Sequence, residues 1–263
     1  MQDALFLIKD YIRRGTLLPS VLLNNKEVYQ LIKDSGKYQV PSLQELKKVV
    51  KKLEIEEDDL YLSVNPFSPF VYIHQLTYVD IQNLNESFLD MYQVKKTIHS
   101  LREDMEKFRD EGDYESIIHI TSNKYVLNIF HEVYNEVELE KRYSLFRETY
   151  TQMEYGFEAF QPDILEEVLT LNMDTSFKEQ LKPDNKGYIT IYRGEGSKSR
   201  GLEEAYSWTI NQKIAHFFAK RFDKEGKVYQ GKVHINDVID YIDDRNEGEI
   251  LVIPTNVKEI IKL

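Results

Sequence analysis

The chain has 263 residues, 41 % of them apolar and 30 % charged, with no cysteine and a net charge of −11. That is apolar enough for a sizeable core, and it excludes wholesale disorder, disulfides and thiolate chemistry. No apolar run approaches the roughly 20 residues of a membrane helix, and the first residues lack the basic and long apolar regions of a secretory leader, so the expected setting is cytoplasmic, with no membrane partner.

The acidity is uneven. Residues 187–263 carry 12 basic and 12 acidic side chains, so the whole excess falls in 1–186. Such a surface repels bulk nucleic acid and anionic lipid, and it reads either as a solvated surface that aids solubility or as the seat of a basic, neutralising protein partner at the front of the chain.

Asp3–Arg14 places Leu5, Ile8 and Ile12 on one helical face, and Gly15 with Pro19 ends it. Ser42-Leu43-Gln44-Glu45 has the spacing of a capping box and opens a helix to Leu53. Residues 60–82 stay open between short strands and packing loops around the turn Asn65-Pro66-Phe67-Ser68-Pro69. The spacing of Phe88, Met91, Tyr92, Ile98, Leu101, Met105 and Phe108 predicts one long helix from Asn85 to Arg109, broken at Gly112. Residues 113–160 predict two or three helices rich in Tyr and Phe. Pro162 suits the first turn of another, and Asn172–Lys186 reads as a polar linker.

After Gly187 the period changes to two. Tyr188–Tyr192, Val228–Ile235, Ile250–Ile253 and Val257–Leu263 read as strands, the third apolar enough to be buried on both faces. Between the first two, Asn211–Phe222 reads as a helix with Ile214, Phe217, Phe218 and Phe222 on one face and Ala215 and Ala219 permitting close packing.

Three short pieces of this last third carry groups suited to one reaction. Arg193 closes a strand, where a guanidinium can grip a phosphate, and Gly194 leaves room for a ligand against the backbone. Ser207-Trp208-Thr209, if extended, points two hydroxyls one way and the indole the other. Glu247-Gly248-Glu249 places two carboxylates on one side by alternation, one able to stabilise a cationic sugar centre and the other to orient or deprotonate an acceptor. Lys198, Arg200, Lys213, Lys220, Arg221, Lys224 and Lys227 form a basic run that reads either as a plain solvated helix face or as a rim for a nucleic-acid acceptor or the dinucleotide. The six histidines have no metal-ligand spacing, no metal is expected, and neither a phosphate loop nor GxGxxG is present.

In this order, an arginine after the first strand, a Ser-x-Thr strand followed by a helix with Phe218-Ala219, then Glu-x-Glu before a late strand, residues 187–254 resemble the arginine–serine–glutamate class of ADP-ribosyltransferases, found in many bacterial toxins. The periods above read as an α+β chain whose front, 1–175, is a mainly α-helical domain for partner or substrate binding; for 187–263 the resemblance implies a compact split-sheet catalytic domain. It implies NAD as substrate, with Arg193, Gly194, Ser207, Trp208, Thr209 and Phe218 binding it. Glu249 would be the catalytic glutamate, Ser207 would hold it, and Glu247 would orient a protein, RNA or DNA acceptor, in a toxin or phage-conflict setting. NAD glycohydrolysis and a non-catalytic binding module on a degenerate transferase fold are the alternatives.

Overall fold

The computed structural model describes residues 2–82, 91–153, 156–221 and 226–263. The chain is mixed α and β with two antiparallel sheets, and it divides into two compact units, 1–132 and 133–263. No helix among the described residues is long and apolar enough to cross a membrane.

The first unit begins with α1 (Gln2–Arg14), β1 (Leu18–Pro19), α2 (Lys26–Asp34) and α3 (Leu43–Leu53). The capping box forms: Ser42 accepts from the Glu45 amide at 3.2 Å, and Glu45 accepts from the Ser42 amide at 2.9 Å. Then come β2 (Leu60–Leu62), β3 (Phe70–His74) and β4 (Thr77–Ile81), which pair with β1 in the order β1-β2-β3-β4. The unit closes with α4 (Met91–Glu111), α5 (Tyr114–Ile120) and α6 (Val126–Val133). The open reading of 60–82 thus resolves to strands, so the front of the chain, still mainly helical, also carries a small four-stranded sheet. Leu60, Leu62, Tyr72 and Ile81 are fully buried and share one core with Leu18, Ile32 and Leu46. Asn85–Asp90, with Phe88, lies outside the described residues.

The second unit takes in residues that the sequence assigns to the front. It contains α7 (Arg142–Gln152), α8 (Pro162–Val168), β5 (Tyr188–Glu195), β6 (Ser207–Thr209), α9 (Gln212–Lys220), β7 (Lys227–His234), β8 (Val238–Ile242), β9 (Glu249–Val252) and β10 (Lys258–Lys262). The six strands run antiparallel in the order β10-β7-β5-β6-β9-β8. Residues 172–186 are no solvated linker: a short 3-10 turn, Ser176–Gln180, sinks Phe177, and with it Leu181, into the core beside Ile191, Trp208, Val233 and Ile250. The division shares the acidity as well. The first unit carries 16 basic and 21 acidic side chains and the second 18 and 24, so an acidic front is not a feature of one compact body.

Helix α9 lies on β5 by its small residues. Ala215 and Ala219 are fully buried, whereas Phe217, expected on the packed face, is 60 % exposed. The reason is Gly194 on β5: a Cβ built there would stand 2.0 Å from the Ala215 carbonyl oxygen and 2.6 Å from the Ala219 nitrogen. Backbone meets backbone at this crossing, which leaves no depth for a phenylalanine. Gly194 thus serves helix packing, and it also lines the cleft described below. The C-terminal end of this helix as expected, Phe222, lies outside the described residues.

Candidate active site

A cleft of about 280 Å3 opens in the second unit, walled by β5, β6, the start of β9, α9 and the end of α7. The strand pairing explains why groups far apart in sequence meet here. Tyr192 of β5 stands opposite Thr209 of β6, and Thr209 stands opposite Glu249 of β9. Arg193, Ser207, Glu247 and Glu249 all line the cleft, with Phe218 and Ile214 of α9 on the apolar side.

Glu249 is the centre of the arrangement. Its Oε1 accepts a hydrogen bond from the Tyr150 hydroxyl at 2.5 Å and another from the Ser207 hydroxyl. Its Oε2 takes no hydrogen bond among the described residues. Burial pushes the carboxyl above the ordinary glutamate range; the Ser207 and Tyr150 hydrogen bonds oppose that rise, and the nearby Glu247 charge adds to it. Burial, then the Glu249 charge, hold the Tyr150 phenol well above its usual value, so it remains a donor.

Arg193 lines the cleft from β5. Its Nη1 donates to the Ser207 carbonyl oxygen at 2.7 Å and its Nη2 to the Arg200 carbonyl oxygen at 3.3 Å. These bonds tie β5 to β6 and to the loop 196–201. The guanidinium is therefore a fixed positive charge at the cleft rather than an open fork awaiting a phosphate.

The other predicted residues divide. Trp208 is 2 % exposed, its indole nitrogen donating to the Ala205 carbonyl oxygen at 2.8 Å, so its ring packs in the core, and the residue also lines the cleft. Thr209 points its hydroxyl at the Glu247 carbonyl oxygen, 2.6 Å away, and accepts from the Asn211 amide at 2.9 Å. It fastens the Glu247 loop to the start of α9, where Asn211 caps the helix through the Lys213 amide at 3.0 Å. Glu247 and Glu249 share the cleft, yet strand alternation is not the cause. Glu247 precedes β9, and Gly248 turns the chain at φ +55°, its amide held by the Asp243 carboxylate at 2.8 Å.

Tyr150 carries no local sequence signal. It comes from 99 residues before Glu249, and only the spacing of Tyr143, Arg147 and Tyr150 at i, i+4 and i+7 hints at one functional face. That face meets the β8–β9 edge. Tyr143 donates to the buried Asp240 of β8 at 3.0 Å, and Arg147 pairs with the same carboxylate at 3.3 Å. Phe157 packs against the Tyr150 ring with centroids 4.6 Å apart, and Tyr206 against Phe157 at 5.4 Å. The phenol that holds Glu249 is thus locked at both ends of its helix turn. Arg245 also lines the cleft, its guanidinium bonded to the Thr151 carbonyl oxygen.

Chemically, the site offers one desolvated carboxylate with a single oxygen engaged, a second carboxylate nearby, a fixed guanidinium and an apolar wall. That set suits an anionic substrate on which positive charge develops near Glu249. In comparison with known proteins, the chain matches no family profile, no curated protein and no solved structure.

Proposed function

We propose that the chain transfers ADP-ribose from NAD to a macromolecular acceptor. The observation that carries this reading is the meeting of Arg193, Ser207 and Glu249 on one cleft, with the Glu249 carboxylate held by two hydroxyl donors.

A cleft of about 280 Å3 is near the lower end of the range for small-molecule sites, and it suits the nicotinamide–ribose half of the dinucleotide. The bond between nicotinamide and the ribose C1′ breaks, and its electron pair leaves with neutral nicotinamide. The acceptor's N–H or O–H group attacks C1′ and gives its proton to Glu247 or to water. Ser207 and Tyr150 keep Glu249 Oε1 in place, so Oε2 can meet the ribose and the carboxylate charge can face the developing cation. Arg193 sets a positive charge toward the pyrophosphate, and Phe218 with Ile214 excludes water from the apolar side. Glu247, a second carboxylate on the same cleft, favours transfer to an acceptor over simple hydrolysis.

Incubation with NAD labelled in the adenylate part tests the reading. Label carried onto protein or nucleic acid, with stoichiometric nicotinamide release, is the expected result. Free ADP-ribose alone would make the chain a glycohydrolase, and intact NAD would overturn both reactions.

The Glu249 environment also sets the pH dependence. The reaction needs the ionised carboxylate, and burial raises its pKa, so the acid limb of kcat/KM should lie above the usual glutamate value of about 4.3. Tyr150 stabilises the ionised form. Tyr150→Phe should therefore move that limb to higher pH and lower kcat about tenfold, the range of a lost positioning hydrogen bond. A pH–rate profile unchanged by this substitution would remove Tyr150 from the account.

A further inference from the structure

The outer face of α9 is not used by the cleft chemistry. Lys213, His216, Phe217 and Lys220 recur at i, i+3, i+4 and i+7, and all four are exposed. Among the described residues none of Lys213, His216 and Lys220 enters an ion pair. In a chain with 45 acidic residues, the 18 positions from Ala205 to Phe222 contain none; Asp223 and Glu225 follow outside the described residues. The aromatic of this face is continuous with the cleft: the Phe217 ring meets Phe218 edge to face with centroids 5.6 Å apart, and Phe218 lines the cleft wall.

A large apolar ring exposed between lysines has little reason to exist for solubility, since the packed side of the helix already holds it through Ala215 and Ala219. Cations spaced along one face, with an exposed ring between them, match the alternation of phosphates and bases in an unpaired strand: lysines meet phosphates and the ring stacks on a base. An acidic peptide would satisfy the lysines but offers a stacking partner only where it happens to carry a ring, whereas every nucleotide supplies one.

We propose that this face of α9 docks a single-stranded polynucleotide and presents one of its nucleophiles, a base amino group or a sugar hydroxyl, to the cleft. The proposal rests on the transferase reading for the chemistry, while the docking itself stands on α9 alone. Duplexes are poorer ligands because their bases are already stacked.

Fluorescence anisotropy with labelled 20-nucleotide single-stranded RNA, single-stranded DNA and duplex DNA, at several salt concentrations, tests the docking, and each oligonucleotide is also offered as acceptor with labelled NAD. Binding of a single strand at least tenfold tighter than duplex is expected; RNA and DNA arms tell which sugar is preferred. Phe217→Ala should weaken binding about tenfold, and Lys213→Glu with Lys220→Glu should reduce the salt slope by about 1.4, the loss of two phosphate contacts on a single strand. Both variants should cleave NAD to water at the unaltered rate. Transfer of label from NAD to protein without oligonucleotide binding, equal binding of duplex, or Phe217→Ala binding like the unaltered protein would overturn the proposal, while the transferase reading is decided separately by label transfer. Variant-sensitive single-strand binding without NAD cleavage would support the docking and sink the transferase reading instead.

Discussion

Glu249→Gln is expected to lower NAD turnover by about 10³-fold or more while the protein melts at the same temperature or higher. The loss corresponds to about 4 kcal/mol of transition-state stabilisation, the range in which removal of one preorganised electrostatic group falls. Glutamine preserves the shape and can accept the Ser207 and Tyr150 hydrogen bonds through one oxygen, but it brings no negative charge to a cationic ribose. The stability half of the prediction follows from the direction of the carboxyl shift. The folded pKa lies above the unfolded one, so the native state holds the proton more tightly between those two values. Stability contributed by the group is present below the unfolded pKa and is lost as pH rises through the folded pKa. At neutral pH the unaltered protein carries that cost and the glutamine variant does not; at acid pH the difference vanishes. Thermal melts at both pH values, beside turnover, check the pair of effects. Loss of activity together with a lower melting temperature would mean that Glu249 serves the fold.

Gly194→Ala is expected to destabilise the second unit by about 3 kcal/mol or more, a fall in Tm on the order of 10 °C. The added Cβ would lie 2.0 Å from the Ala215 carbonyl oxygen, and that atom is helix backbone, which cannot rotate away. The helix must lift off β5, carrying Ile214 and Phe218 from the cleft wall. Calorimetry of the variant decides between two uses of the glycine. A large drop in Tm fits helix packing; an unchanged Tm with weaker NAD binding would restore the role of ligand approach.

Local features of this fold could be read from the residues. The capping box at Ser42 and Glu45, the all-apolar run Ile250–Val252 and the alternation through Tyr188–Tyr192 each depend on neighbours within a turn or a strand. Three things could not. The front sheet consists of strands of two to five residues around a proline-rich turn, too short for a period to register. The unit boundary at 132/133 was hidden because the polar stretch before β5 conceals Phe177 and Leu181, two anchors of the core. The buried face of α9 is not legible in the pattern because its depth is set by a glycine on another element, and phenylalanines outweigh alanines in any pattern of hydrophobicity.

The site divides in the same way. Arg193, Ser207, Glu247 and Glu249 carry their chemistry in their side chains and reach one cleft through adjacent strands. Trp208 and Thr209 also border the cleft, but the fold commits the indole to the core and the threonine hydroxyl to the Glu247 loop. Tyr150 has no local signal, since its meaning comes only from where α7 sets it, held to β8 by Tyr143, Arg147 and Asp240.

Transfer from NAD requires the dinucleotide to lie in the cleft shared by Arg193, Ser207 and Glu249. A crystal structure of the Glu249→Gln variant with NAD, in which turnover is blocked, tests it most directly. The expected density places the nicotinamide ribose against residue 249 and Ser207, with the pyrophosphate facing the Arg193 guanidinium. NAD bound elsewhere, or a cleft left empty at millimolar NAD, would contradict it.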